Sequence, residues 1–369
     1  MRALLRHPSL RGGVPIGRAR MVESDSLYRK VAKRVLTTSL AVESGESVTV
    51  ETWNNGLDFA RTVVAEARSM GCTAMLVLED EDAYVEGLGR SPGDRVGRMG
   101  KNEYGMLSGS DAYVFVPGPL LAAYQTRVKP SLMSESTRYN GSWYEAAEKA
   151  GLRGARLTFG YIGEELAGIL GKTVEEIVRR QLEAALVDSD VISKSAKKLV
   201  STISAGGEVR LSAGASRLGL RLKGQPEVED GIVSKKDVKA GENMTYMPPG
   251  FVTCGVEQGS VTGTLKVARS LTRLGLLEDA ALTFREGKLT QWKSTKSKKM
   301  LDELVKGVPE EKRSLSILMV GLNPKMGYVY GQDRMVAGSV TVAGFGFTGV
   351  VRDADLSVGG RMAVTRGRI

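Results

Sequence analysis

The sequence predicts an α/β fold with two domains: an N-terminal α/β domain with a parallel sheet, and a C-terminal domain of mainly antiparallel β structure (α+β). Strands alternate with long amphipathic helices in the first half, whereas short strands and glycine-rich turns fill the second. A chain of 369 residues also fits two domains of about 150 residues each. The predicted boundaries are a basic arm at 1–24, the α/β domain at 25–171, a helical bridge at 172–205 and the β-rich domain at 206–369.

The elements of the first half follow one another as helix, strand, helix and strand. A helical pattern runs from Asp25 to about Thr38, and it is followed by the strand SGESVTVET and the amphipathic helix GLDFARTVVAEARSMGC. The strands TAMLVLED and SDAYVFVPGP come next, and GARLTFGYIGEELAGILG adds another strand and helix. Strands separated by helices of this length form parallel pairs, so we expect a parallel, twisted sheet.

The bridge KTVEEIVRRQLEAALVDSDVISKSAKKLVSTISAG is predicted to form one or two helices. Beyond it, YMPPGFV predicts a strand, a Pro-Pro-Gly turn and a second strand. The other predicted strands are EVRLSAG, RLGLRLKG, GSVTGTLKVAR, AALTFREGKLTQWK, SLSILMVGLNP, GSVTVAGFGF and GRMAVTRGRI, with one helix at about Lys298 to Lys306. Many short strands with turn signals predict a largely antiparallel domain.

Several function classes are excluded by residues that the sequence lacks. His7, on the N-terminal arm, is the only histidine, which excludes an imidazole metal site or a Ser-His-Asp triad within the fold. No phosphate loop and no dinucleotide fingerprint is found. No apolar run approaches the roughly 20 residues that span a bilayer, so no membrane association is expected. Cys72 and Cys254 lie far apart without CxxC spacing, which favours a reducing cytoplasm.

Carboxylates are the remaining candidates for metal chemistry. Asp353 and Asp355 are two residues apart, so on a strand their side chains leave the same face and can share Mg²⁺ or Mn²⁺. Glu257 and Asp333 are further candidates in the same domain. The alternative interpretation is a solvated pair of aspartates beside Arg352.

Basic residues form two groups that nucleic acid or the ribosome can bind. The net charge is +10, and half of it lies on an arm that is expected to be disordered. In the segment QWKSTKSKKM, an aromatic ring next to lysines can stack on a base. The alternative is a solvated helix start, balanced by nearby acidic residues. The candidates are Arg2, Arg6, Arg11, Arg18 and Arg20 on the arm, and Trp292, Lys293, Lys296, Lys298 and Lys299 in the segment.

Five segments, taken in order and spacing, resemble one known family. They are SGESVTVETWNNGLDFARTVVAEARSMG, SDAYVFVPGP, MPPGFVTCGVEQGSVTGTLKV, MVGLNPKM and GSVTVAGFG. From about Arg34 to Ile369 the chain resembles the thermophilic aminopeptidases of the T and S type, which are dinuclear metallopeptidases. The resemblance implies the same two-domain layout. It also implies a homodimer formed through the C-terminal half.

The resemblance implies that this chain is a divergent member in which most metal ligands are replaced. The family's first glutamate, after a Pro-x-Gly turn, corresponds to Phe251, and its second, ahead of a Gly-x-Asn-Pro element, corresponds to Ile317. Its histidine after an Asp-Glu-Lys element corresponds to Thr341, and its final His-x-Asp pair to Asp353 and Asp355, of which only Asp355 is kept.

Two cations held near each other need several anionic or imidazole ligands. We therefore expect no resident cofactor and no metal-dependent peptide hydrolysis, and a role in binding a peptide or small molecule or as a scaffold. The alternative is an active aminopeptidase whose Mn²⁺, Mg²⁺, Co²⁺ or Zn²⁺ site is rebuilt from Glu257, Asp333, Asp353 and Asp355.

Overall fold

A computed structural model describes residues 18–92, 95, 97–118, 130–272, 274–327 and 333–369. The arm that was predicted to be disordered covers residues 1–24. Residues 1–17, with Arg2, Arg6 and Arg11, lie outside the described residues, whereas residues 18–24 form the start of a helix. The helices are α1 (Arg18–Arg34), α2 (Leu57–Ser69), α3 (Glu81–Arg90), α4 (Lys101–Ser108), α5 (Pro130–Lys149), α6 (Glu164–Leu170), α7 (Val174–Ala185), α8 (Ser189–Ser204), α9 (Lys235–Lys239) and α10 (Lys298–Lys306). The first helix thus begins at Arg18, earlier than the predicted start at Asp25.

The described strands form two sheets. In the N-terminal half they are β1 (Ser47–Trp53), β2 (Thr73–Glu79), β3 (Ala112–Val116) and β4 (Arg153–Leu157). They continue with β5 (Glu208–Ala213), β6 (Ser216–Glu229), β7 (Met244–Met247), β8 (Phe251–Val256), β9 (Thr262–Thr272), β10 (Gly275–Arg285), β11 (Lys288–Ser294), β12 (Ile317–Gly321), β13 (Val340–Gly344), β14 (Phe347–Val351), β15 (Asp355–Val358) and β16 (Arg361–Val364).

The first sheet is parallel, as predicted, and has the strand order β2-β1-β3-β4-β7 among the described residues. One face of β1 carries Val48 and Val50, which are buried in a core shared with α1, α2 and α7. Tyr113 on β3 points to the other face, where it packs against Leu107 of α4 and Trp143 of α5. Helices therefore cover both faces, as parallel sheets require.

One strand of the parallel sheet comes from the C-terminal half of the chain. Strand β7 pairs with β4 in parallel, with Tyr246 opposite Arg156. The predicted boundary at residue 206 therefore does not separate the two sheets. The chain enters the second sheet with β5 and β6, returns to the first sheet at residue 244 with β7, and then continues in the second sheet from β8. Three residues then lead from β7 to β8, so the predicted strand, turn and strand are all present, but the two strands belong to different sheets.

The second sheet is antiparallel and follows the order β11-β10-β9-β6-β8-β12-β13-β14, with β5, β15 and β16 attached beside β6. Its core contains Leu265, Leu282, Phe284 and Val342, and α8 and α10 pack against it. The predicted helix from Lys298 to Lys306 is confirmed at both ends. The bridge forms two helices, α7 and α8, whose N-caps are Thr173 and Asp188.

None of the described helices combines the length and the apolar character needed to cross a membrane. Both cysteines are buried free thiols. Cys72 lies in the core of the first sheet and Cys254 in that of the second.

Candidate functional site between the two sheets

The Pro-Pro-Gly turn connects the two sheets, and we call the junction around this turn the cleft. There Phe251 packs against Ala184, Met326, Met335 and Val336. The Met247–Pro248 peptide is cis, and Gly250 has φ +115°. A Cβ on Gly250 would lie 3.0 Å from both Asn323 Cβ and Ile192 Cδ1, so a larger residue would push neighbouring elements apart. Strand β8 begins at the next residue, and the side chain of Phe251 is buried.

Asn323, from the Gly-x-Asn-Pro element, fixes this turn to its surroundings. Its Nδ2 donates to the carbonyl oxygens of Pro249 (2.8 Å) and of Ala184 at the end of α7 (3.0 Å). Its Oδ1 accepts from the amides of Lys325 (3.0 Å) and Met326 (3.1 Å). The side chain is fully buried, so one amide group joins the turn, the bridge helix and the loop after β12.

A short 3-10 turn, Asp333–Met335, packs directly over Gly321 at the end of β12. A Cβ at Gly321 would lie 2.7 Å from the carbonyl oxygen of Arg334 and 2.1 Å from that of Val336. Only glycine allows this close packing. As a result, the guanidinium of Arg334 lies over the ring of Phe251, with Cζ 5.6 Å from the ring centroid.

A row of side chains crosses the first sheet near the carboxyl ends of its strands. Glu51 of β1 lies opposite Phe115 of β3, which lies opposite Arg156 of β4, which lies opposite Tyr246 of β7. Residues in register on neighbouring strands project from the same face. In open α/β sheets, this edge is where ligands bind.

Arg156 and Arg334 meet three tyrosines in this region, and we name Arg156, Arg334, Tyr144, Tyr161 and Tyr246 the arginine–tyrosine cluster. The guanidinium of Arg156 donates to the hydroxyl of Tyr161 and lies over the rings of Phe115 (5.3 Å) and Tyr161 (5.7 Å). Burial lowers the pKa of Arg334, and the positive charge of Arg156 lowers it further. Burial and the hydrogen bond with Tyr144 raise the pKa of Tyr246 to about 12, so this hydroxyl keeps its proton at neutral pH.

Two carboxyl groups next to the cluster titrate near neutral pH. Burial, followed by the charges of Glu79 and Glu103, raises the pKa of Glu51 to about 7. Burial likewise raises the pKa of Glu229 to about 7, although three donors oppose this shift. These donors are the Thr245 hydroxyl and the amides of Tyr246 and Gly231 (3.1 Å for Gly231). The Glu229 carboxyl therefore accepts hydrogen bonds from Thr245 and Tyr246 of β7. Because its pKa is raised, it stays protonated to a higher pH than an ordinary glutamate.

The three strand positions that the resemblance assigns to metal ligands share one face of the second sheet. Phe251 lies opposite Gly321, whereas Ile317 lies opposite Gly255 and Ala343. At about 3.3 Å per residue, Ile317 is about 13 Å along β12 from the residue opposite Phe251. Thr341 lies opposite Met319, between these two levels. None of the three side chains is a strong metal ligand, and Phe251 is covered by a cation.

Two threonine hydroxyls are buried on this same face. Thr253, Met319 and Thr341 are in register across β8, β12 and β13. Thr341 is fully buried, and neither its Oγ1 nor that of Thr253 has a hydrogen-bond partner among the described residues. Buried hydroxyls in proteins are usually satisfied, so this pair marks an unusual patch of the cleft.

The candidate carboxylates Glu257 and Asp333 have basic partners. Glu257 is exposed and accepts two bonds from the guanidinium of Arg221, at 2.7 and 3.2 Å. Asp333 is buried, and its Oδ2 lies 3.8 Å from an Arg352 nitrogen. These two carboxylates therefore lie in different ion pairs.

Asp353 and Asp355 do not both lie on a strand, which was the condition for a shared face, and this favours the alternative of a solvated pair. Asp353 precedes β15, in an exposed turn with φ +48°, and only Asp355 belongs to the strand. The Oδ1 of Asp355 accepts from the amide of Arg366 at 2.7 Å. Within the described ranges, no three His, Cys, Asp or Glu side chains come together in a way that could hold a metal ion. The residues present thus do not fit the dinuclear metal centre that the resemblance implies.

The candidate nucleic-acid residues lie far from this cleft, at β11 and the start of α10. The Trp292 indole N–H donates to Asp302 Oδ1 (2.9 Å), and its ring packs against the core of the second sheet. Lys298 is paired with the same carboxylate at 2.8 Å. Lys293, Lys296 and Lys299 are exposed. Arg18 and Arg20 lie at the start of α1. Nucleic-acid binding through the arginines of the arm or through the segment QWKSTKSKKM stays a prediction.

Sequence reasoning did not identify Arg156, Tyr246, Arg334, Asn323 or Glu229 as site residues. Asn323 lies inside the quoted segment MVGLNPKM, and Arg334 lies where the resemblance places the family's Asp-Glu-Lys element, so their position next to a replaced ligand was a usable signal. Arg156 carries no such signal, because only the pairing of β4 with β7 brings it to the cleft.

Comparison with known proteins establishes the fold. No protein-family profile and no curated protein sequence matches the chain. Among solved structures, it is similar to 2,5-dihydroxypyridine dioxygenase from Pseudomonas putida KT2440, with a TM-score of 0.58 and 14% identity over 96% of this chain and 98% of that one. It is also similar to wild-type AmpT from Thermus thermophilus, an aminopeptidase T, with a TM-score of 0.65 and 14% identity over 92% of this chain and 99% of that one. The family resemblance seen in the sequence is therefore confirmed at the level of the fold.

Proposed function

We propose that this chain is an aminopeptidase-like binding protein that has lost metal-dependent peptide hydrolysis and binds a ligand between its two sheets. The observation that carries the proposal is the contact between Arg334 and Phe251 at the start of β8. The resemblance assigns this position to the first metal-binding glutamate. An aromatic ring offers a divalent cation no ligand atom, and a fixed guanidinium repels it.

The elements that shape the cleft support a retained binding role. Gly250, Gly321 and Asn323 each make close contacts that hold the turns around the cleft in place. The two similar structures are named for different reactions, an aminopeptidase and a dioxygenase. A shared fold therefore does not require peptide hydrolysis, and the side chains of the cleft decide the chemistry.

Metal analysis and an activity assay on the purified full chain test the proposal. The protein is incubated with Mn²⁺, Co²⁺ or Zn²⁺, washed, analysed for bound metal and assayed on a panel of aminoacyl reporters. We expect less than one equivalent of metal per chain and no turnover above the buffer blank, because the cleft lacks a set of anionic ligands.

Two variants test the alternative of a rebuilt carboxylate site. Turnover that is lost in Asp353→Ala or Asp355→Ala would contradict the proposal and support that alternative. The matched control is Asp58→Ala, which removes an exposed carboxylate paired with Arg61 on α2. Turnover lost in all three variants would indicate a general effect on the protein instead of a metal site.

A further inference from the structure

We propose that Arg156 and Arg334 together bind the carboxylate or phosphate group of a small anionic ligand. This inference rests on the proposed binding function and deepens it by naming the chemical class of the ligand. Arg156 belongs to β4 of the first sheet, whereas Arg334 belongs to the 3-10 turn that packs on β12 of the second sheet. Each guanidinium lies over an aromatic ring at the cleft. The cleft lies at the carboxyl ends of the parallel strands, which is the edge where open α/β sheets bind ligands.

Arg156 is a partly buried cation whose charge is not balanced by an ion pair. Its hydrogen bond within the described part of the chain goes to the hydroxyl of Tyr161, and it forms no ion pair with a described carboxylate. A guanidinium carries five N–H donors in a planar fork that matches two oxygens of a carboxylate or phosphate. Arg156 therefore retains donors for an anion.

Arg334 brings a second positive charge close to the first. The two charges are near enough for Arg156 to disfavour the charged form of Arg334. Like charges held in a partly buried site repel each other, since little water screens them. An anion between them removes this repulsion and adds charge-assisted hydrogen bonds, which are stronger than neutral ones.

The neighbouring carboxyl groups do not take the place of that anion. Glu229 accepts from the Thr245 hydroxyl and the Tyr246 amide of β7 and from the amide of Gly231. Glu51 accepts from the hydroxyl of Tyr113. Both groups are partly protonated near neutral pH, so the negative charge that they bring to the cluster is incomplete.

Thermal unfolding with two simple anions tests this inference. The full chain is titrated with inorganic phosphate and, separately, with malonate, each against sodium chloride of equal ionic strength. We expect a saturable rise in melting temperature that chloride does not reproduce, because an anion that binds the folded state stabilises it. The anion with the larger rise identifies the preferred group.

Variants assign the effect to the cluster. Arg156→Gln and Arg334→Gln are expected to reduce the rise at least five-fold, whereas Arg61→Gln, an exposed arginine on α2, leaves it unchanged. If Arg156→Gln does not fold, Tyr161→Phe keeps the ring and removes the hydroxyl that orients Arg156, and it should weaken binding.

An unchanged rise in Arg156→Gln, or no rise beyond that of chloride in the wild type, would overturn the inference. The proposed loss of hydrolysis is judged separately by the reporter assay. Metal-dependent turnover contradicts that proposal whatever the anions do.

Discussion

At the start of β8, Phe251 lies beneath the guanidinium of Arg334, with 5.6 Å between Cζ and the ring centroid. Such a contact contributes about 0.5–2 kcal/mol, depending on how well it is shielded from water. The pair also sets the electrostatic character of the cleft. A guanidinium lies over Phe251, at the position where the resemblance places a carboxylate.

Replacing Phe251 with glutamate alone is expected not to create a metal site. The new carboxylate would face Arg334 and form an ion pair. Glu229, which lies opposite residue 251 on β6, already accepts from three hydrogen-bond donors. We expect the metal content of Phe251→Glu, measured after incubation with Mn²⁺ or Zn²⁺, to equal that of the wild type. A stoichiometric metal ion in this single variant would contradict the view that several ligands are missing.

Glu229 gives the free energy of unfolding a dependence on pH. Its pKa is about 7 in the folded chain and about 4.3 for an unperturbed glutamate, so between these values the folded state holds a proton that the unfolded state has lost. Stability contributed by this group therefore falls as the pH rises from about 4.5 to 7. One pKa unit corresponds to about 1.4 kcal/mol.

The variant Glu229→Gln keeps an acceptor oxygen and removes the titration. We expect it to be more stable than the wild type at pH 8, by about 1–3 kcal/mol, and to differ little near pH 4.5. Urea unfolding at both pH values measures this difference. A stability difference that does not change with pH would show that Glu229 does not titrate in this range.

Thr341 and Thr245 offer a matched test of buried hydroxyls. Thr341→Val removes an oxygen with no described partner, so we expect stability to rise by about 1 kcal/mol in the absence of ligand. Thr245→Val removes a donor to Glu229 and should cost about 1–3 kcal/mol. Chemical unfolding of both variants at pH 7 gives the comparison. Equal losses in both would mean that the Thr341 hydroxyl has a structural partner.

Among the elements, the strongly periodic ones were predictable. Helix α10 and most strands of the second sheet follow from alternating or helical apolar patterns bounded by glycine or proline. Helices α3, α4 and α5 were not predicted, because their sequences are polar and contain glycines that weaken the helical pattern. Their stability comes from packing, as with Trp143 of α5 against Tyr113.

The site was predictable only in part, for a related reason. The turn at Gly250 and the Gly-x-Asn-Pro element are local signals, so their neighbourhood was anticipated. The row from Glu51 to Tyr246 depends on pairing between strands distant in the sequence. No local pattern reports that register, so Arg156 was not identified as a site residue.

Gly321 is the point where the 3-10 turn packs on β12, and a methyl group there is expected to be costly. Because the added Cβ of Gly321→Ala would lie 2.1 Å from the carbonyl oxygen of Val336, the turn has to move. We expect a loss of about 1–3 kcal/mol of stability, as for other overpacked sites, and displacement of Arg334.

The matched control is Gly141→Ala on the exposed side of α5, where an added Cβ meets nothing within 4 Å. This change should stabilise the protein by about 0.5–1 kcal/mol, since alanine favours helix. Urea unfolding of both variants measures the contrast. A neutral Gly321→Ala would mean that the turn adjusts freely.

For the molecule as a whole, Asn323 is the amide that holds the bridge helix, the Pro-Pro-Gly turn and the loop after β12 together. Asn323→Ala leaves the carbonyl oxygens of Ala184 and Pro249 without this donor inside the protein. At about 1–3 kcal/mol for each of these two buried groups left unsatisfied, we expect a loss of about 2–6 kcal/mol. Asn140→Ala, on the exposed surface of α5, is the control and should be nearly neutral. A similarly small effect of both changes in urea unfolding would argue against this role.

A homodimer through the C-terminal half stays a prediction of the resemblance.

The return of the chain to its first sheet through β7 has a consequence for dissecting the protein. A fragment that stops after the bridge helices would expose the hydrogen-bonding groups of β4, and an uncovered strand edge of this kind promotes aggregation. A fragment that begins there would carry β7 with no partner strand. The two halves are thus interlocked by a single exchanged strand, and they are best expressed and studied as one uninterrupted polypeptide.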